Sequence, residues 1–288
     1  MRNKLHGRRQ TRNETIRRLL EHARYEVLPT ATTEDKVRAN VPQDVAVTVT
    51  ASASKGLEAT LALSESLSRA GWSVVPHLAA RMVQDFAQVE EIRARLGEAG
   101  ITSVFVPGGD ADPVGVYPDS FSLLEDLHKL EHPFTHVGIA GYPETHPKIH
   151  DDLTVQAMWD KRRHATHIVS NLTFDASAVK AWVERMRARG ITQPLLLGLP
   201  GPIDRAKLLT MAGKIGVGES TRFLTKNAGF FARLAAPGGW TGQKFLEDCA
   251  PVAMKPESLI EGLHVFTFNQ VAETEAWRQE LLASVSTS

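Results

Sequence analysis

The sequence predicts a single-domain (β/α)8 barrel, and three observations predict it. Eight short apolar, β-branched runs recur along 288 residues. Helical stretches long enough to cross over between parallel strands lie between them. Glycines stand where those helices should stop. Eight strand-then-helix units in a chain of this length suit a closed barrel better than an open doubly wound sheet.

The runs are taken in order. The first is 24–29 (RYEVLP), preceded by a helix over 14–23. The second is 44–50 (DVAVTVT) and the third 72–79 (WSVVPHLA). The fourth is 102–109 (TSVFVPGG), the fifth 136–143 (HVGIAGYP) and the sixth 166–172 (THIVSNL). The seventh is 194–200 (PLLLGLP) and the eighth 263–269 (LHVFTFN). Near-continuous apolar character suits strands covered on both faces. Helices are expected over 56–70, 83–99, 121–130, 153–165, 176–188 and 205–215. Leu57, Leu61, Leu63 and Leu67 mark the apolar stripe of the first of these. Gly71, Gly100, Gly190 and Gly216 follow helix ends. Residues 235–241 (AAPGGWT) read as a loop within the long seventh connection.

Composition narrows the class. Apolar residues at 42% and charged residues at 23% can form a core, which excludes a disordered or fibrous chain. Lys+Arg 33 against Asp+Glu 33 leaves no basic excess for wrapping nucleic acid. No apolar run approaches the roughly 20 residues that span a bilayer. The single cysteine, Cys249, cannot form an internal disulfide, and a reducing cytoplasm is the simplest compartment. The N-terminus is basic through Arg2, Lys4, Arg8, Arg9, Arg12, Arg17 and Arg18, with no apolar stretch behind it to make a signal peptide. Residues 1–22 are therefore expected to be a basic lead-in and helix, and 23–288 the barrel.

In a barrel, chemistry collects where strands end. Those positions here hold Glu26, Thr48, His77, Asp110, Tyr142, Glu144, His146, Asn171, Gly201 and Asn269. Gly108 and Gly109 let backbone approach a ligand, or simply make a tight turn. The stretch 216–221 (GVGEST) lacks the phosphate-loop order of glycines followed by Lys and Ser/Thr. His146, His150, Asp151 and Asp152 are metal-ligand types, but no His-Glu-x-x-His or cysteine pair accompanies them. His164 and His167, three apart beside a strand, should face opposite sides.

These residues resemble motifs of the methylenetetrahydrofolate reductase family. Tyr25-Glu26-Val27-Leu28-Pro29 resembles its Phe-Glu-Phe-Phe-Pro opening, and Ala46-Val47-Thr48 its second-strand threonine motif. Pro76-His77-Leu78 and Gly109-Asp110 match its Pro-His-Leu and Gly-Asp. Ala140-Gly141-Tyr142-Pro143-Glu144-Thr145-His146-Pro147 is similar to Ala-Tyr-Pro-Glu-x-His-Pro, and Phe266-Thr267-Phe268-Asn269 to Tyr-Thr-Leu-Asn. The matches run in family order, and the length resembles the bacterial single-domain form.

The resemblance implies a barrel holding FAD at its rim. It implies interconversion of 5,10-methylenetetrahydrofolate and 5-methyltetrahydrofolate, with NADH or NADPH as hydride source. It implies Glu26 as general acid and Asp110 beside flavin and pterin. It implies Thr48, His77, Gly109, Asp110, Ala140 and Tyr142 as cofactor contacts, and Glu26, Asp110 and Asn171 as folate contacts. Lys161 and Arg162 stand where the flavin's phosphates would be gripped. The chain departs from the family at Gly108, where an arginine is usual, at Asn171, where glutamine is usual, and around Ile203. These departures admit a flavin-free route. Other readings are methyl-folate oxidation at the same site and a metal-dependent barrel hydrolase using His77, His146, His150 and Asp110. Folate and nicotinamide are the expected partners, without nucleic acid or membrane, and the oligomeric state is open, a homo-oligomer included.

Overall fold

A computed structural model describes residues 2–130, 132–144, 149–202 and 241–286, with side chains from residue 11. Eight parallel strands form the barrel: β1 (Ala23–Val27), β2 (Ala46–Val49), β3 (Val74–Pro76), β4 (Ser103–Phe105), β5 (His136–Gly141), β6 (His167–Ser170), β7 (Leu195–Pro200) and β8 (Ile260–Phe266). Their order is β3-β2-β1-β8-β7-β6-β5-β4. A single parallel bridge, His77 to Phe105, joins the two ends, supported by Leu78 N donating to Phe105 O at 2.8 Å. The expected fold is the observed one, and each predicted run overlaps one strand.

Nine helices are described: α1 (Arg2–Glu21), α2 (Thr33–Asn40), α3 (Gly56–Arg69), α4 (Phe86–Glu98), α5 (Ser120–Lys129), α6 (Asp151–Lys161), α7 (Ala176–Ala188), α8 (Gly242–Ala253) and α9 (Val271–Ser286). Aspartates start three of them. Asp85, Asp119 and Asp175 accept from backbone N–H groups of the first turns of α4, α5 and α7. Gly71, Gly100 and Gly190 have φ of +101°, +71° and +76° just past α3, α4 and α7, so the expected glycine stops hold.

Alternation along the strands sorts two layers. In β1, Ala23, Tyr25 and Val27 are buried under helices, whereas Arg24 and Glu26 are half-buried. Tyr25 shows the outward direction: its hydroxyl donates to Glu275 of α9 at 2.6 Å. In β5, Gly141 lies against Trp182 of α7, where a Cβ would come within 2.6 Å of the indole. Gly138, on the opposite face, leaves room for the His167 ring, whose Nε2 would meet a Cβ at 2.8 Å. Aliphatic residues thus fill the strand–helix layer, and a polar set fills the lumen.

Some expectations needed correction. The helix expected over 14–23 begins at Arg2, and α2, α8 and α9 were not foreseen. Helix α1 packs rather than trails: Ile16, Leu19 and Leu20 are buried, and Arg18 donates to the carbonyls of Ile260 and Glu261. β8 begins three residues early and ends at Phe266, because Phe268 and Asn269 take positive φ. Exposed Glu261 and the glycine at 262, neither of them an apolar strand former, hid its start. The helix expected over 205–215, the loop over 216–221, Ile203 and His146 lie outside the described residues.

Candidate active site

Glu26 leaves β1 one residue before its end, with its side chain 16% exposed toward the lumen. Its Oε2 lies 2.8 Å from His264 Nε2 on β8 and 3.9 Å from His77 Nε2 just after β3. Thr48 Oγ1 of β2 is 2.9 Å from that same His77 nitrogen. The two imidazoles stack with centroids 6.2 Å apart. Phe105 meets His77 edge-on at 4.7 Å, and Phe266 meets His264 at 4.8 Å. One carboxyl group therefore sits between two buried imidazoles and two aromatic rings.

Below it lies a second polar pair. Arg24, two residues earlier on β1, places Nη1 3.1 Å from His167 Nε2 on β6, across the lumen. Burial lowers the Arg24 guanidinium below its usual value. Burial drives His77 down to about 4, with the Glu26 charge opposing the shift and His264 adding to it. Burial drives His167 down to about 3, reinforced by Arg24. Both imidazoles are neutral at pH 7. His164 instead packs in the helix layer against Phe121 and His128, so the two nearby histidines do face opposite ways.

The remaining predicted residues divide. Gly109, with φ +88°, turns the chain after β4 and leaves Asp110 exposed. Tyr142 follows β5, half-buried; its phenol is raised by burial and further by the charge of Asp110, so the two are neighbours. Ala140 is half-buried on the lumen face of β5. Asn171 is exposed, and its Oδ1 accepts from Leu172 N at 2.9 Å, a local turn contact. Glu144 accepts from Thr173 Oγ1 and from the Phe174 and Asp175 amides, holding the loop before α7. Asn269 ties the β1–α2 loop to the end of β8 through Leu28 N, Leu28 O and Thr33 Oγ1.

Lys161 and Arg162 part company. Arg162 lies at the end of α6, its guanidinium 3.7 Å over the Trp159 ring and its carbonyl accepting from Gln193, just before β7. That carbonyl contact lies toward the N-terminal end of the strands, with Gln193 just before β7. Lys161 is half-buried, and desolvation lowers its ammonium while Asp119, at the start of α5, opposes this. A desolvated cation on that side suits an anionic phosphate. Neutral Tyr142 and small Ala140 suit a flat ring system at the rim. The residues present thus fit the flat ring system of FAD at the rim.

Sequence reasoning missed His264, Arg24 and Phe105. The signal was available: inward positions of β8 fall on Gly262, His264 and Phe266, every second residue. Glu26, His77 and His264 bring one donor atom each within 4.8 Å of one another. The grouping differs from the ligand set of the rival hydrolase reading, of which His150 is an exposed helix cap. A metal-bound imidazole normally donates its other N–H to a neighbour. His264 Nδ1 is buried and meets no acceptor among the described residues. The three groups read as a hydrogen-bonded set.

Among solved structures, 2,3-dimethylmalate lyase, a PEP mutase/isocitrate lyase superfamily member, is 13% identical, with 83% of this chain and 95% of that chain covered at a TM-score of 0.47. A putative lyase/mutase from Burkholderia cenocepacia J2315 is 15% identical, with 97% and 87% covered at a TM-score of 0.49. Likenesses this low carry no argument about chemistry. The family model for methylenetetrahydrofolate reductase matches residues 28–219, two-thirds of the chain, running from the end of β1 past the end of β7. With that match over a closed (β/α)8 barrel, the chain belongs to the methylenetetrahydrofolate reductase family.

Proposed function

We propose that this protein interconverts 5,10-methylenetetrahydrofolate and 5-methyltetrahydrofolate, with a reduced nicotinamide as hydride source and Glu26 as proton donor. The observation that carries the reading is the Glu26 carboxyl group held at the lumen mouth by His264 in a chain of this family. Methylene-folate carries its one-carbon unit in a five-membered ring. One C–N bond must break to give an iminium carbon before hydride can add. The departing nitrogen takes the electron pair of that bond and needs a proton. Glu26 is a carboxyl group in the lumen, partly open to the mouth, where it can supply one.

The other residues take supporting parts. Asp110, exposed beside Tyr142, is an acceptor suited to a pterin amino group. Asn171 is near the same rim but spends its carbonyl on its own turn, leaving its amide N–H groups for a ligand edge. FAD, when bound, would relay hydride from nicotinamide to folate. Ala140, Tyr142 and Gly109 would border its rings, with Lys161 toward its phosphates. Thr48 and His77 are buried, bonded to each other, and lie beneath that layer as support.

Glu26→Gln keeps the shape of the side chain but cannot donate an acidic proton. Methylene-folate reduction should fall by about 10²–10⁴-fold, the usual worth of general acid catalysis. Nicotinamide oxidation by an artificial quinone should stay near wild type, because it needs no acid there. If both reactions fall together, along with thermal stability, Glu26 is structural and the assignment fails.

A further inference from the structure

We propose that His264 is a positioning residue that holds its proton on Nε2, donates it to Glu26 Oε2, and so reserves Oε1 as the oxygen that carries the transferable proton. The proposal rests on the reading of Glu26 as proton donor. His264 is 2% exposed, and its Nε2 is 2.8 Å from Oε2. Its Nδ1 is buried without a partner among the described residues.

A neutral imidazole carries one proton, and its location follows from what each nitrogen meets. A proton on Nδ1 would be a buried donor without an acceptor. A proton on Nε2 points directly at a carboxyl oxygen, and only a lone pair is left bare. An imidazolium would restore the orphaned Nδ1–H and add a second positive charge to a lumen that already holds Arg24.

The groups that face His264 are few. Glu26 and Arg24 come from β1, His77 from beyond β3, and His167 from β6. His77 and His167 are neutral and Arg24 is bonded to His167, so among the described residues Glu26 is the one group placed to take the Nε2 proton's hydrogen bond. The ring itself is clamped between Phe266 and the His77 ring.

The division of labour follows from the two carboxyl oxygens. Oε2 is occupied by the Nε2–H bond in both protonation states of Glu26. In the step itself, the Oε1–H bond breaks and an N–H bond forms on the folate nitrogen, which keeps the electrons of the broken C–N bond. Glu26 is left a carboxylate, and the Nε2–H bond stabilises it. His264 keeps its proton throughout, and water reloads Oε1 after product leaves.

Two measurements test this. Histidine-selective ¹⁵N NMR of the whole protein, with His264 assigned by its loss in His264→Gln, should show the Nε2–H tautomer of its neutral ring. An Nδ1–H tautomer or an imidazolium at pH 7 overturns the proposal. The second is kinetic. His264→Leu removes the donor and should cut methylene-folate reduction by about 10–100-fold, the usual worth of a hydrogen bond to a charged group. It should also displace the pH profile, with nicotinamide–quinone turnover falling much less. His264→Gln returns an N–H to the Nε2 position and should recover most of the loss. Unchanged folate reduction and pH profile in His264→Leu, with Glu26→Gln still inactive, overturns the role of His264 alone. Full folate reduction by Glu26→Gln overturns the donor reading and this proposal with it.

Discussion

At Lys161 the ammonium is half-buried and held below its usual range by desolvation, while its neighbour Arg162 stacks on Trp159. One peptide bond separates them, and the proposed function assigns a phosphate contact to Lys161 alone. Lys161→Met should weaken FAD binding by about 10–100-fold, because a charge-assisted contact is worth roughly 1.5–3 kcal/mol. Arg162→Ala should leave FAD affinity unchanged. Titration of flavin fluorescence separates the two, and equal weakening by both variants would put Arg162 back at the site. Residue types also explain what surrounds the acid. Cys249 takes no part: it is buried in α8, and burial pushes its thiol up to about 12, so it stays protonated and inert.

At the scale of elements, two connections hold the site in shape. Asn269 has φ +60° and bonds three groups of the loop after β1, which fixes where Glu26's strand ends. Asn269→Ala should lose about 1–3 kcal/mol, since it leaves buried backbone groups unsatisfied. Urea unfolding would measure that, and a change below a few tenths would mean the loop is held by other contacts. Helix α1 is the second. Leu19 is fully buried where α1 meets the barrel, and Leu19→Ala should cost about 2–5 kcal/mol as a core truncation. A surface-like loss under 0.5 kcal/mol in the same assay would show that α1 is a detachable lead-in after all.

For the whole molecule, the polar lumen makes stability depend on pH. His77 and His167 stay neutral in the folded barrel down to about 4 and about 3, whereas in the unfolded chain histidine titrates near 6.5. Between those values the unfolded state binds more protons, so stability rises with pH and falls as the solution is acidified. Two histidines give a slope of at most about 2.7 kcal/mol per pH unit. Melting temperature should hold steady above about pH 7 and drop progressively from 6.5 toward 4.5. His167→Asn should flatten that slope by about one proton. A wild-type melting temperature flat from pH 7 to 4.5 would contradict the buried, neutral state of both rings.

The chain's own pattern determined the barrel, because apolar periodicity and helix-stopping glycines act within a few residues and read the same in any context. It also brought Glu26, Thr48, His77, Asp110 and Tyr142 to the ends of strands or the turns after them, since a strand's end is a local property, whereas Ala140 was named only by the family resemblance. Three helices escaped for a physical reason: α9 has apolar residues scattered around its circumference, α8 contains Pro251, and α2 is eight residues of mostly polar character. Only the tertiary structure decided which side chains meet. His264 is 238 residues from Glu26 in sequence, and Arg24 is 143 from His167; closure of the sheet and its register bring each pair within hydrogen-bond range. Alternation within a strand tells which face a residue takes. Which residue waits across the lumen depends on where the sheet closes, and that is set by the packing of all eight strands together.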